Sequence, residues 1–339
     1  MSVFNATGVL VLFLFFLAAA FCLSLFIGSY GIEPLSLVQF LIHKVMPGAF
    51  PGPWPETYDS ILINIRLPRL LLGMLVGASL SAAGTVFQGL FRNPLADSYT
   101  LGLSTGASFG AALALAFFPG EFNVTASAFI FGLLAVGAAY GLARQSGEVP
   151  AVALILAGVI VSALFSALIA IIQYMVDPLK LQGIVFWLMG GLNMANWQAV
   201  AVVGPLIMFT LLILSLLGWR LNILSMGDAE AKSLGLDVEK NKAVFIILVS
   251  LGVSAAVSVS GAIGWVGLMA PHIIRMAAGA DHRKLLPLTA IGGAAFMLLA
   301  DDLARGLFTF ELPVGIVTTV LGAPFFAYLM KNRAKGGWT

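Results

Sequence analysis

The chain has 339 residues, 60% of them hydrophobic and only 9% charged, with a formal net charge of +2. Its mean hydropathy of +1.03 is beyond what a water-soluble domain sustains, and the near-balanced charge gives no support for a nucleic-acid partner. Cys22 is the single cysteine, so intrachain disulfides and cysteine-based metal sites are excluded.

The medium implied is the lipid bilayer. A span needs about 20 apolar residues, and backbone polar groups within hydrocarbon must be satisfied internally, so helices are expected. Apolar runs separated by charged or Pro/Gly-rich breaks predict an all-α, polytopic transmembrane helical bundle of about ten spans. In chain order these are 6–28, 66–90, 98–118, 124–143, 150–176, 197–219, 241–262, 262–279, 285–305 and 313–330. The first run lacks the basic leading segment of a secretory signal and is read as a membrane helix. Between the seventh and eighth runs, Gly261, Gly264 and Gly267 interrupt one long stretch, where a reentrant turn fits equally well. Residues 1–339 are read as one transmembrane domain.

With the N-terminus cytoplasmic, Lys44, Arg66, Arg69, Lys180 and Arg305 lie outside and the other basic residues, including Lys335, lie inside. An outer loop of proline, glycine and aromatic residues runs from Pro47 to Asp59, with Pro51, Pro53, Trp54 and Pro55. Arg66-Leu-Pro-Arg69 then opens the second span, with Pro68 in the first helical turn and both arginines on one face. Because these arginines oppose the orientation bias, they read either as interfacial anchors or as an outer cationic patch for an acidic partner. A short amphipathic helix at the outer surface is expected over Lys180 to Leu192.

The inner segment, about 221–242, is the longest cytoplasmic stretch. Ser225-Met-Gly-Asp228 has the form of a capping box, and Gly235 supplies a stop, so a compact surface helix is expected there. Its small residues Gly227, Ala229 and Ala231 suit close approach of a partner. Further along, Asp301 and Asp302 lie inside a span, where a pairing of Asp302 with Arg305 and a bond from Asp301 to a neighbouring helix is preferred to a proton relay. His43, His272 and His282 are not spaced for a shared metal, and there is no phosphate-binding loop, so no metal, cofactor or catalytic residue is assigned.

The strings RLPRLLLGMLVGASLSAAGTVFQGLFRNPLADSYTLGLSTGASFG (Arg66 to Gly110), FWLMGGL (Phe186 to Leu192), SGAIGWVGLMAPHIIR (Ser260 to Arg275), and LADDLAR followed by ELPVGIVTTVLGAPFFAYLM resemble the FecCD-type permeases of ABC importers. The resemblance implies a cobalamin-permease-like type II importer fold in the cell inner (plasma) membrane. Its implied partners are two copies of an ABC ATPase subunit, a periplasmic or lipoprotein substrate-binding protein, and a second permease copy in a homodimer. Residue by residue, it implies that Arg66, Arg69 and Arg305 meet acidic residues of the binding protein. It places Asn93 and Leu95 at a cytoplasmic gate, and Ser225, Met226, Gly227, Asp228, Ala229, Ala231, Leu234 and Gly235 in the segment that couples to the ATPase. Near the second gate position this chain has Ala151 and Val152 where a cobalamin permease is often hydroxylic. The implied function is passage of a metal chelate, with iron–siderophore first and haem, cobalamin or molybdate as alternatives. An ion-coupled secondary transporter working through Asp301 or Asp302 is the reading from a different class.

Overall fold

In the computed structural model, the described residues are 6–28, 30–46, 48–50, 52, 54–308 and 310–333. Pro47, Pro51, Pro53 and Lys335 lie outside the described residues. Fourteen helices are found among them: α1 (Ala6–Phe26), α2 (Pro34–Val45), α3 (Glu56–Leu90), α4 (Leu103–Phe117), α5 (Glu121–Ala143), α6 (Ala151–Met175) and α7 (Pro178–Leu188). The second half holds α8 (Trp197–Leu216), α9 (Gly218–Met226), α10 (Asp228–Ser233), α11 (Val238–Ser260), α12 (Val266–Ala278), α13 (His282–Gly306) and α14 (Val314–Arg333). Seven of these are long and apolar enough to cross a membrane, and three further apolar helices are shorter, so each of the ten expected runs finds a helix.

Helix α3 is the axis of the bundle, and every residue from Val76 to Leu90 is buried. It packs most extensively on α13, and also on α11, α12 and α8. Apolar burial gives little drive for helix association in lipid, so close packing of small residues has to supply it. The α3 sequence provides them: Gly77 abuts the backbone of Gly293, and Gly84 lies so close to the Gly267 carbonyl that any Cβ there would overlap it. Thr85 Oγ1 lies 3.0 Å from Thr289 Oγ1, adding a hydroxyl bond between α3 and α13.

The helix begins earlier than the sequence suggests. Pro68 does not open it but lies inside a continuous 35-residue helix. The preceding stretch, Asp59–Arg66, is wound as a π-helix. A proline has no N–H to give and crowds the turn before it, and a wider turn there relieves both demands.

Helices α4 and α12 are short because an unwound segment precedes each. At 15 and 13 residues, they span only about 20 Å, against a hydrocarbon core of roughly 30 Å. The segments 91–102 and 261–265 meet inside the bundle. The Tyr99 hydroxyl donates to the Ile263 carbonyl at 2.8 Å and accepts the Ile263 N–H at 3.0 Å. Irregular backbone is tolerated at such depth only when it is bonded in this way. The break expected around Gly261 is therefore real, with Gly261 at φ +65° closing α11.

Helix α7 lies where the short surface helix is expected but ends at Leu188. Asp177 caps its start, but Ile184 is fully buried, and its Lys180 Nζ donates to the Ala116 carbonyl at the end of α4. Residues 189–192 leave the helix and run inward, where the Gly191 N–H donates to Ser260 O at 2.7 Å and Gly190 O accepts the Gly315 N–H at 3.2 Å. Gly190 permits the insertion, since it has φ +68° and a Cβ there would overlap the Ala262 carbonyl.

Candidate functional site

At the outer end, by the charge bias, α1, α3 and α13 converge on one ionic cluster. Arg69 on α3 reaches Asp301 on α13 at 2.9 Å, and its Nη1 lies 2.9 Å from Glu311 in the α13–α14 connection. Arg305 lies 3.0 Å from Asp301 and 2.6 Å from Asp302. Asp302 also accepts the Ser24 hydroxyl at 2.6 Å. The guanidinium of Arg66 donates to the carbonyls of Leu25 and Tyr30, and that of Arg305 donates to Ile27. Those carbonyls end or follow α1, where a helix has no internal donors left for them. Asp302 does pair with Arg305, and Asp301 does bond a neighbouring helix.

The exposure of the arginines differs from expectation. Arg66, Arg69 and Arg305 are 3%, 6% and 6% exposed, so they do not form an outward-facing cationic patch, nor do they anchor in lipid headgroups. The physical reason is the pair Asp301 and Asp302, which is buried and cannot be left without countercharges. What the cluster presents outward is Asn193 and Glu311.

At the opposite end, cytoplasmic by the same charge bias, Asn93 closes α3: its Oδ1 accepts the Leu95 N–H at 3.0 Å, and its own N–H donates to Gln88 O. This side-chain turn sets Leu95 outward at 54% exposure. The inner segment is built differently from the expected single helix. Ser225 is inside α9, and its hydroxyl donates to Asn222 O rather than capping α10. Gly227, at φ +138°, separates α9 from α10, and Asp228 is the first residue of α10. Gly235 does serve as the stop, at φ +80°, with the Leu236 N–H returning to Ala231 O.

The eight residues of this segment do not share one face. Met226, Ala229, Leu234 and Gly235 are exposed, whereas Gly227 and Ala231 are buried, so Ala231 cannot touch a partner. Two exposed apolar side chains, Met226 and Leu234, flank the short charged helix. The Asn93 turn and the inner segment are neighbours, since the space beside Gly227 is filled by Glu230 and by the Arg92 guanidinium next to Asn93.

Sequence reasoning missed Lys242. It lies on the buried face of α11 with Val238, Phe245 and Val249, and that spacing is the signal that could have found it. Its ammonium bonds Asp228 at 2.7 Å, Glu239 at 3.4 Å and the Val149 carbonyl at 3.3 Å. The Val149 N–H donates to the other Glu239 oxygen at 2.9 Å, and Lys232 pairs with Glu148 at 2.8 Å. Nearby, Asn222 ties α9 to the α12–α13 turn through Asp281 and His282.

No group of three potential metal ligands occurs among the described residues. His272 instead packs against the rings of Phe325 and Phe326. Two cavities of about 250 and 290 Å³ lie along α5 and α11, the first also against α8, and both have largely apolar walls. Neither assembles the convergent polar groups that would read a particular solute.

Comparison with known proteins agrees with this geometry. The FecCD transport family matches over residues 16–332. The molybdate import system permease protein MolB of Haemophilus influenzae is 38% identical over 93% of this chain and 93% of its own length. A Helicobacter pylori protein named "Probable iron chelatin transport system permease protein" is 44% identical over 81% of this chain and 83% of its own. A solved inward-facing structure, described as of metal-chelate ABC transporter type, superposes with TM-score 0.84 at 36% identity, covering 94% of this chain and 97% of that one. The axial small-residue helix, the two broken helices and the match along nearly the whole chain lead to one conclusion: this multi-pass membrane protein belongs to the FecCD transport family and is a transport subunit, not an enzyme.

Proposed function

We propose that this chain is the permease of an ABC importer that carries a metal chelate into the cytoplasm, with an iron–siderophore complex as cargo. The observation that carries the reading is the 44% identity to the protein named for iron chelatin transport. Two copies of the chain would enclose the pathway, two ATPase subunits would dock beneath it, and a binding protein would deliver cargo from outside. The exposed side chains of α10, with Met226 and Leu234, form the ATPase contact, and the Asn93–Leu95 turn beside them is the cytoplasmic gate. The binding-protein contact belongs at the rim formed by Asn193 and Glu311, the exposed partners of the buried Arg69.

A second cargo, molybdate, is favoured by the 93% coverage in both directions of the molybdate permease. Few polar groups converge in the cavities of the chain, so cargo selection falls to the binding protein. The test is uptake into proteoliposomes holding the permease with its co-purifying ATPase and binding protein. Accumulation of ⁵⁵Fe-siderophore, competed by unlabelled siderophore and not by molybdate, is the expected result. Uptake of molybdate alone would replace the first reading with the second.

A further inference from the structure

We infer that Lys242 and Glu239 form a clamp that joins the partner-docking helix α10 to the start of the spanning helix α6, so that the two move as one body. The inference rests on the reading of α10 as the ATPase contact.

Helix α10 has only six residues and a glycine at each end, Gly227 at φ +138° and Gly235 at φ +80°. A helix this short has little stability of its own, so its position is set by what holds it. The hold comes from outside the helix. Lys242 Nζ, on a side chain only 6% exposed, bonds Asp228 at the first position of α10. The same ammonium bonds the Val149 carbonyl, and Glu239 accepts the Val149 N–H, so both backbone groups of Val149 are engaged. Val149 is buried and is followed by Pro150, the residue that caps α6. Outside the clamp, Lys232 of α10 reaches Glu148 on the same strap.

The strap, residues 144–148, is exposed throughout and is turned tightly by Ser146 at φ +50° and Gly147 at φ +91°. It lies beside α10 and extends the same cytoplasmic surface. A load applied to α10 therefore has a short path of charged hydrogen bonds to α6: Asp228 to Lys242 to Val149 to Pro150. The Lys242 end of this path is buried while Asp228 is 43% exposed, and bonds to an ionised group are stronger than those between neutral groups. Lys242 is a positioning residue here and touches no cargo.

The test places spin labels at Ser233→Cys on α10 and Val152→Cys on α6, in a Cys22→Ala background. Distances are read by electron–electron double resonance in nanodiscs, with the permease alone and with its co-purifying ATPase subunit trapped by ATP and vanadate. With Lys242 present, the distance distribution is narrow and the same in both states. In K242Q it broadens and shifts on trapping, and K242R restores the narrow form. Independently, Glu239→Ala raises amide exchange at Val149 roughly tenfold, the loss of about one charge-assisted hydrogen bond. A narrow, unmoved distribution in K242Q together with unchanged Val149 exchange in Glu239→Ala overturns the inference. If K242Q does not insert, the Glu239→Ala exchange decides alone. Failure of the ATPase subunit to bind the unmodified permease would instead refute the docking reading, leaving the ATPase-free distances to judge the clamp.

Discussion

Arg69 and Asp301, 232 positions apart in sequence, meet at 2.9 Å with both groups almost fully buried, so the outer ends of α3 and α13 are joined by an ion pair that water scarcely reaches. Asp301 is shared with Arg305, and removing its charge leaves two buried guanidiniums under-compensated. D301N is expected to lose roughly 3–5 kcal/mol of stability, read as a lower melting temperature in detergent. Reversing Arg66, Arg69 and Arg305 together to Glu should abolish folded protein rather than only weaken docking. Normal yield and melting of that triple variant would contradict the buried network.

The inner segment makes a paired prediction. Ala229 is exposed and Ala231 is fully buried, two positions apart on α10. Ala231→Trp should overpack the chain's own core and destabilise it by about 1–3 kcal/mol. Ala229→Trp should leave melting unchanged and weaken binding of the ATPase subunit, measured by co-purification. Equal behaviour of the two variants would remove α10 as the docking face.

Tyr99 holds two unwound segments together through both backbone groups of Ile263. Tyr99→Phe keeps the ring and leaves a buried N–H and C=O without their partner. A loss of about 1–3 kcal/mol is expected, with faster amide exchange at Ile263 as the local signature. Slow exchange in the variant would show that another group satisfies Ile263.

Asp281, in the cytoplasmic turn before α13, has its carboxyl held well below the usual carboxylate range, chiefly by hydrogen bonds from the Arg283 side chain. A carboxyl depressed in the folded state stabilises fully above its ordinary value near 4, and this contribution is lost as pH falls below it. Because the Arg283 side chain is 66% exposed, solvent screening limits the contribution to about 1 kcal/mol or less. The melting difference between the native chain and D281N should therefore be present at pH 7 and shrink toward pH 3. A difference that grows on acidification would reverse the assignment.

Composition and the spacing of apolar runs were enough to determine the solvent, the helical class and the approximate place of ten helices, because a bilayer imposes span length and internal hydrogen bonding on any chain within it. The break at Gly261 and the stop at Gly235 were legible for a similar reason, since both are local backbone demands that glycine meets. Other features depended on partners far away in sequence. Pro68 reads locally as a helix start, and only the turns before it show that the helix runs through. Arg66, Arg69 and Arg305 read as outward charges because charge bias reports the side of the membrane and not the depth within the protein. Their direction was decided by Asp301, Asp302 and the open carbonyls after α1, groups brought to them only by folding. Lys242 was overlooked on the same grounds: in a charged loop it resembles any solvated lysine, and beyond Glu239 on its own helix its acceptors come together only when residues 149 and 228 are brought beside it.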